Sequence, residues 1–305
     1  VENMRPGVMP RLGLSYDVAR KVKEDIIYLS SSSCGQEGPD KKFVGYAPNF
    51  ASIGGYSHNT GYDDWSPSNF TGSVDIKSAT AAAFAIMAAL CYHQKTGEGQ
   101  YIDLASQETV AILNTDMLLD YVLNGREATR KGNRDDVMAP HNCYRCKGED
   151  KWISIAVQSD EEWKALCQVM GKDELIEDNQ YLDICNRWEN QGELDLIING
   201  WTKDLTYYEV MEKLQKVGVA AAPSFDSEGL FNDPHVKARD IFKEIDHPVI
   251  GKDWVINPPW KLSETPASID RHAPLIGEYN KEIFQGLLKM SEEQIRQFEE
   301  EEVIY

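Results

Sequence analysis

Asp75 is the residue of this chain best placed for chemistry. It falls where a long loop rich in glycine and aromatic residues meets an Ala-rich apolar stretch. Its carboxylate is therefore expected among the free backbone N–H groups of a helix's first turn. Read from residue type and position alone this is an N-cap, worth about 1 kcal/mol, and a cap accounts for an aspartate without any reaction. The other patterns are weaker. Cys143-x-x-Cys146 with His141 nearby is half of a zinc pattern, but no second ligand pair stands at a suitable spacing and both thiols fall on an expected strand. They read as hairpin or core cysteines, and no metal site is expected. The six histidines (58, 93, 141, 235, 247 and 272) are scattered, and His-Glu-x-x-His, Gly-x-Ser-x-Gly, Walker A and Gly-x-Gly-x-x-Gly are all absent. Zinc peptidase, serine hydrolase and kinase chemistry lack support.

The elements that must position Asp75 can be read on either side of it. Asp25-Ile-Ile-Tyr-Leu-Ser30 reads as a buried strand running into the Gly35 and Gly38-Pro39 turns. From Gly35 to Ser73 there is little periodicity, and a structureless stretch of that length is more often a functional loop than filler. Ile76 to Lys95 is apolar on nearly every face and is expected to be a buried helix, stopped by Thr96-Gly-Glu-Gly99. Gln100 to Ala105 returns as a strand, and Ser106 opens a helix that Gly125 closes. Strand and helix alternate, so the fold class is α/β.

Residues 125–140 are polar and charged and read as a linker. Beyond them the segments 142–146 and 151–157 flank Lys147-Gly-Glu-Asp150 as a hairpin, followed by helices over 159–170, 187–202 and 206–217, the pattern of a smaller α+β domain. Proline-rich connections then lead to helices near 275–289 and 291–301. The Glu299 to Glu302 run is a solvated helix end.

Composition bounds what this framework can do. At 305 residues with 42% hydrophobic and 27% charged, the chain is long enough for two domains and too apolar for intrinsic disorder. A formal charge of −19 repels polyanions, which sets nucleic acid and anionic membranes aside. No uninterrupted run of 18 apolar residues and no signal-peptide h-region is present. Six irregularly spaced cysteines suit reduced thiols, so a cytoplasmic location is expected.

Taken in order, several segments resemble class III CoA-transferases, the formyl-CoA and carnitine-CoA transferase family. Glu2-Asn-Met-Arg-Pro-Gly7 with Arg11-Leu-Gly-Leu14 is similar to that family's opening motif. Asp25-Ile-Ile-Tyr28 with Gly35-Gln-x-Gly-Pro39 is similar to its next strand and loop. The most specific block is Asp75, the small-residue helix ending Ala88-Ala-Leu90, Thr96-Gly-x-Gly-Gln100 and Ile102-Asp103. Gly132-Asn133, Ala139-Pro-His141, Tyr144-Arg-Cys-Lys147, Trp152-Ile153, Gly218-Val219, Pro223, Asp233-Pro-His235, His247-Pro248 and Ala273-Pro-x-x-Gly-Glu278 complete the series.

The resemblance implies a Rossmann-like large domain over 1–124, a linker over 125–140, a small α+β domain over 141–226, a linker over 227–247 and a segment over 248–305 that returns to the large domain. It further implies an interlocked-ring dimer. The implied activity is transfer of CoA from an acyl-CoA to a carboxylic acid, with Asp75 as the nucleophile. The CoA thioester is a substrate, and no permanently bound cofactor is expected. Arg11, with Asn3 and Met4 beside it, is implied to meet the CoA phosphates, and Tyr46 to face the thioester. Tyr56, Tyr62, Trp65 and Phe70 crowd the loop before Asp75 and suit a bulky or aromatic acyl group, though aromatics also simply pack loops.

Two departures stand out. Family members begin with about ninety further residues, a strand-and-helix half of the Rossmann-like domain that also contacts CoA, so a fragment or a heteromer with a partner chain is implied. The stretch Gly132 to Pro140 holds one glycine where glycine-rich members have a run that covers the acyl-aspartate. A racemase of 2-methylacyl-CoA is one alternative. That branch pairs the Asp with a histidine, where this chain has Gly45-Tyr46-Ala47, and His58 is the only nearby substitute, in an unmatched register. A non-catalytic partner subunit is the other alternative.

Overall fold

The computed structural model describes residues 1–68 and 73–304, and the chain divides into two compact units, Val1–Ala222 and Pro223–Tyr305. The first unit opens as a strand edge. Glu2 bridges Ser30 in parallel, its N–H donating to Leu29 O at 2.9 Å while Ser31 N–H donates to Glu2 O at 2.9 Å. Two short helices follow, α1 (Val8–Arg11) and α2 (Tyr16–Val22). Then come β1 (Tyr28–Ser32), α3 (Ala47–Ile53), α4 (Ser73–Thr96), β2 (Tyr101–Ala105), α5 (Ser106–Ala111) and α6 (Thr115–Asn124). β1 and β2 pair in parallel from Tyr28↔Tyr101 to Ser32↔Ala105. A parallel pair requires a long crossover, and α3 and α4 lie within it.

Glycines set the end of α4 and the approach to β2. Gly97 takes φ +76°, and its N–H donates to His93 O at 2.7 Å, a left-handed stop that a side chain would strain. A Cβ on Gly99 would lie 2.3 Å from Ile26 O, so only glycine lets the chain pass the approach to β1.

The expectation of a buried helix after Asp75 is corrected in degree. α4 buries only Val74, Ser78 and Ala89, a single stripe packed toward α5, β1 and β2, while Phe84, Met87 and Tyr92 are exposed. Alanine explains the misreading, because its small apolar surface suits a buried and an exposed helix face equally. The membrane expectation also needs correction. By length and composition α4 is apolar enough to cross a bilayer, with mean hydropathy 1.5, since an average tolerates the polar and charged residues (Asp75, Lys77, Ser78 and Thr80) that interrupt a run. Here it is packed by a buried hydrogen bond between Ser78 Oγ and Ser106 Oγ at 3.1 Å.

The main hydrophobic core of the unit lies further along the chain. β3 (His141–Arg145) and β4 (Trp152–Ala156) pair antiparallel in the expected hairpin, His141↔Ala156 to Arg145↔Trp152. Helices α7 (Asp160–Met170), α8 (Ile184–Glu189), α9 (Gln191–Thr202) and α10 (Tyr207–Gln215) follow, and β5 (Ala220–Ser224) joins the sheet in the order β3-β4-β5. Inward positions of the strands (Tyr144, Ile153, Ile155) meet helix stripes (Trp163, Leu166, Leu194, Ile198, Leu214), all essentially inaccessible. Capping boxes Ser159/Glu162 and Thr206/Glu209 start α7 and α10.

Asp195 of α9 is partly buried in this region, accepting from Tyr144 Oη at 2.8 Å and Asn142 Nδ2 at 2.9 Å. Desolvation outweighs those two donors and holds its pKa above the ordinary carboxylate value. A folded-state pKa raised in this way makes the ionised carboxylate costly, so its contribution falls as pH rises from about 4 through the raised value. Asp195→Asn lacks this titration. Its stability deficit relative to the parent, followed by urea unfolding across pH, is expected to shrink as pH rises. A deficit that grows with pH would contradict the assignment.

The second unit starts with α11 (Ser227–Asn232) and α12 (Pro234–Ala238), the latter capped by Asp233, whose carboxylate accepts from His235 and Val236 N–H. β6 (Phe242–His247) and β7 (Gly251–Ile256) form an antiparallel hairpin, with the Phe231 ring tilted against Phe242 and edge-to-face with Trp254. The expected terminal helices appear as a π-helical stretch at Lys281–Leu287 and α13 (Glu292–Glu300).

Candidate active site

Asp75 is the third residue of α4 and is exposed. It sits inside the first turn and not before it, so the N-cap reading is corrected to that of an acid within the first turn, where the helix dipole still favours a negative charge. Among the described residues no hydrogen bond or ion pair engages its carboxylate. The chain fixes its neighbours instead. Val74 is buried with Ala47, Ala51 and Val110, and Lys77 Nζ lies 4.7 Å from the centroid of the Tyr56 ring.

The topology sets which end of the sheet Asp75 occupies. α4 leads into β2, which runs parallel to β1, so the first turn of α4 lies at the carboxyl ends of the strands. The Ser78–Ser106 bond marks that end, since Ser106 directly follows β2. Ligands of open parallel sheets bind at this edge.

The loop after β1 is anchored there as well. Gln36 N–H donates to both carboxylate oxygens of Asp103, at 2.9 and 3.1 Å, and Gln107 N–H donates to Ser33 O at 2.9 Å. Ser32 Oγ, Gln36 Nε2 and Ser73 Oγ are enclosed polar atoms with no hydrogen-bond partner among the described residues. Sequence reasoning had Gln36 and Asp103 only as members of motifs. Their pairing joins positions 67 residues apart, which no local pattern signals.

The remaining expected site residues are distributed as follows. Asn3 and Met4 directly follow the Glu2–Ser30 bridge, and Met4 N–H donates to Glu2 Oε2 at 2.7 Å. Arg11 is exposed on α1, between Met4 and Leu14, whose carbonyl accepts from Tyr28 Oη at the start of β1. Tyr46 precedes α3 and is 83% exposed, so it is not a core aromatic. Tyr62 and Trp65 are exposed in the loop, and Phe70 lies outside the described residues. His58 lines a cleft of about 350 Å³ with Asn114, Tyr121 and Glu127, and Asp75 does not line it. Elsewhere in the first unit, burial pushes the thiols of Cys146 and Cys167 up to about 11 and about 12. All six cysteines are free, and among the described residues no group of three or more His, Cys, Asp or Glu could hold a metal.

The model of CoA-transferase family III matches residues 1–280. The chain belongs to this family. Its activity class is acyl-CoA:carboxylate CoA transfer, in which CoA thioesters are substrates. It is 31% identical over 305 residues to the succinyl-CoA–D-citramalate CoA-transferase of Chloroflexus aurantiacus, covering 100% of this chain and 76% of that protein. To the beta subunit of succinyl-CoA–L-malate CoA-transferase from the same organism it is 31% identical over 307 residues, covering 99% and 76%. A CAIB/BAIF family protein from Brucella suis has a similar fold, with a TM-score of 0.83 and 26% identity over 94% of this chain and 74% of that one.

Proposed function

We propose that this CoA-transferase works through an aspartyl-CoA thioester on Asp75. An oxygen of the Asp75 carboxylate attacks the thioester carbonyl, the new C–O bond replaces the C–S bond, and CoA leaves as the thiolate. The product is a mixed anhydride of the acyl group and Asp75. The thiolate then attacks the Asp75 carbonyl carbon, releasing the donor as its carboxylate and leaving the aspartyl-CoA thioester. An acceptor carboxylate repeats both steps in reverse, giving the new acyl-CoA and free Asp75. No proton or water is consumed. The observation that carries this reading is the Asp75 carboxylate itself, exposed in the first turn of α4 and engaged by no described residue. Free N–H groups of that turn are suited to the oxyanion formed at each attack.

Asn3, Met4, Arg11 and Tyr46 are the proposed CoA contacts. The exposed guanidinium of Arg11 can meet a phosphate that a −19 chain would otherwise repel. The large domain is read as Rossmann-like and the assembly as a homodimer or heteromer. The heteromeric form draws support from the relative named as a beta subunit. With six free cysteines, a cytoplasmic location fits best.

Trapping tests the covalent step. The active assembly is incubated with acyl-CoA and hydroxylamine, and the peptide containing Asp75 is mapped by mass spectrometry. A hydroxamate on Asp75 is expected, because hydroxylamine attacks either activated form of the carboxyl group. Turnover without any modification of this peptide would sink the mechanism.

A further inference from the structure

The loop before Asp75 is stapled to the linker by a set of bonds that neither the activity nor the nucleophile accounts for. Arg130 donates from Nε to Tyr62 O at 3.1 Å and from Nη1 to His58 O at 3.2 Å, and Gly132 N–H donates to Gly61 O at 2.8 Å. Asn133 Nδ2 donates to Tyr62 Oη at 3.0 Å and to Asn142 Oδ1 at 3.0 Å. Asn142 is on β3, so a single amide group joins the loop to the small-domain sheet. Asn133 is itself fixed, since its carbonyl accepts from His141 Nδ1 at 2.5 Å. The fit leaves no slack at Gly132, which takes φ +62° and where a Cβ would lie 2.6 Å from Tyr62 Cε1.

The staple continues toward α4. Ser68 N–H donates to Thr60 O at 3.0 Å, Thr60 Oγ1 donates to Tyr56 O at 2.9 Å, and the Tyr56 ring carries Lys77, two residues after Asp75. The loop therefore has a bonded route from β3 of the small domain to the first turn of α4. Exposed hydrogen bonds of this kind contribute little to global stability, so so many converging on one loop point to its placement as their effect.

We propose that Asn133 and Tyr62 are positioning residues for the transfer reaction: their hydrogen bond locks the segment 56–68, whose Tyr56 ring packs against Lys77 two residues after Asp75. The inference rests on the reading of Asp75 as nucleophile. Positioning acts on the chemical step, where a displacement of about 1 Å costs up to about a hundredfold in rate. Asn133→Ala removes the amide at both ends, and Tyr62→Phe removes one hydroxyl while keeping the ring over Gly132.

The test measures kcat, KM and the rate of Asp75 hydroxamate formation for Asn133→Ala, Tyr62→Phe and the double variant in the active assembly, with Asp75→Asn alongside and thermal unfolding recorded for each. Asn133→Ala is expected to lower kcat and the trapping rate together by about tenfold or more, with KM within about twofold and Tm nearly unchanged. Tyr62→Phe should show most of the same fall, and the double variant should be no worse than Asn133→Ala, because both single variants delete the Asn133–Tyr62 bond. Unchanged kcat in both single variants, a raised KM with normal kcat, or a loss that tracks a large drop in Tm overturns the proposal. If Asp75→Asn is inactive while Asn133→Ala is normal, only the positioning role falls. If Asp75→Asn turns over normally, the nucleophile reading falls and the positioning role falls with it.

Discussion

Asp75→Asn is expected to give a folded protein that binds CoA and has lost transfer activity by at least about a thousandfold, the scale on which removing a covalent nucleophile acts. The amide has nearly the same shape as the carboxylate but no anionic oxygen with which to open a thioester. Its structural cost is small. Asp75 is exposed and bonded to no described residue, so the loss is confined to its attraction to the helix dipole, about 0.3–1 kcal/mol. Transfer assays, CoA titration by calorimetry and thermal unfolding on the same preparation separate the two terms. Deamidation regenerates aspartate, so the mass of the Asp75 peptide must be checked before residual turnover is interpreted. Near-normal turnover in a preparation shown by mass to be asparagine would leave Asp75 with an electrostatic role at the helix end and nothing more.

Asp75 shows how far sequence reading reached and why. Its place at a loop-to-helix boundary was legible from the glycine-rich loop and the Ala-rich run, but residue type alone pointed to a cap. Only the ordered motifs around it pointed to chemistry. The β3–β4 hairpin and helices α7 and α10 were legible because turn chemistry and capping boxes are local signals. The β6–β7 hairpin was missed, since Pro248 and the polar alternation of Phe242–His247 look like a connection when the facing strand is not in view. Helix α3 was missed because seven residues carry too little periodicity to stand out from a loop. The Asn133–Tyr62 bond and the Gln36–Asp103 anchor join residues 71 and 67 apart, and such pairs become visible only when the fold closes. The exposure of α4 was beyond reach for a related reason: what covers a helix is a property of its neighbours.

Arg187→Ala is the substitution expected to cost the most stability. Arg187 is wholly buried on α8, where Nε donates to Ala139 O at 3.0 Å, Nη1 to Tyr181 O at 3.2 Å and Nη2 to Asp160 Oδ1 at 2.7 Å. Its guanidinium also lies over the Trp163 ring, 5.6 Å from the centroid. Truncation orphans two carbonyls in the interior, each at about 1–3 kcal/mol, and leaves a cavity beside Trp163, so a loss of about 4 kcal/mol or more is expected. The ion pair is not the source of that loss. Asp160 is 65% exposed and recovers water when released, so Asp160→Asn should cost no more than about 1 kcal/mol. Arg187→Lys keeps the charge but not the planar fork that reaches three acceptors at once, and it should fall between the two. Urea unfolding of all three variants decides the matter. Equal losses for Arg187→Ala and Asp160→Asn would mean that the ion pair, and not the pinning of Ala139 and Tyr181, holds this part of the first unit together.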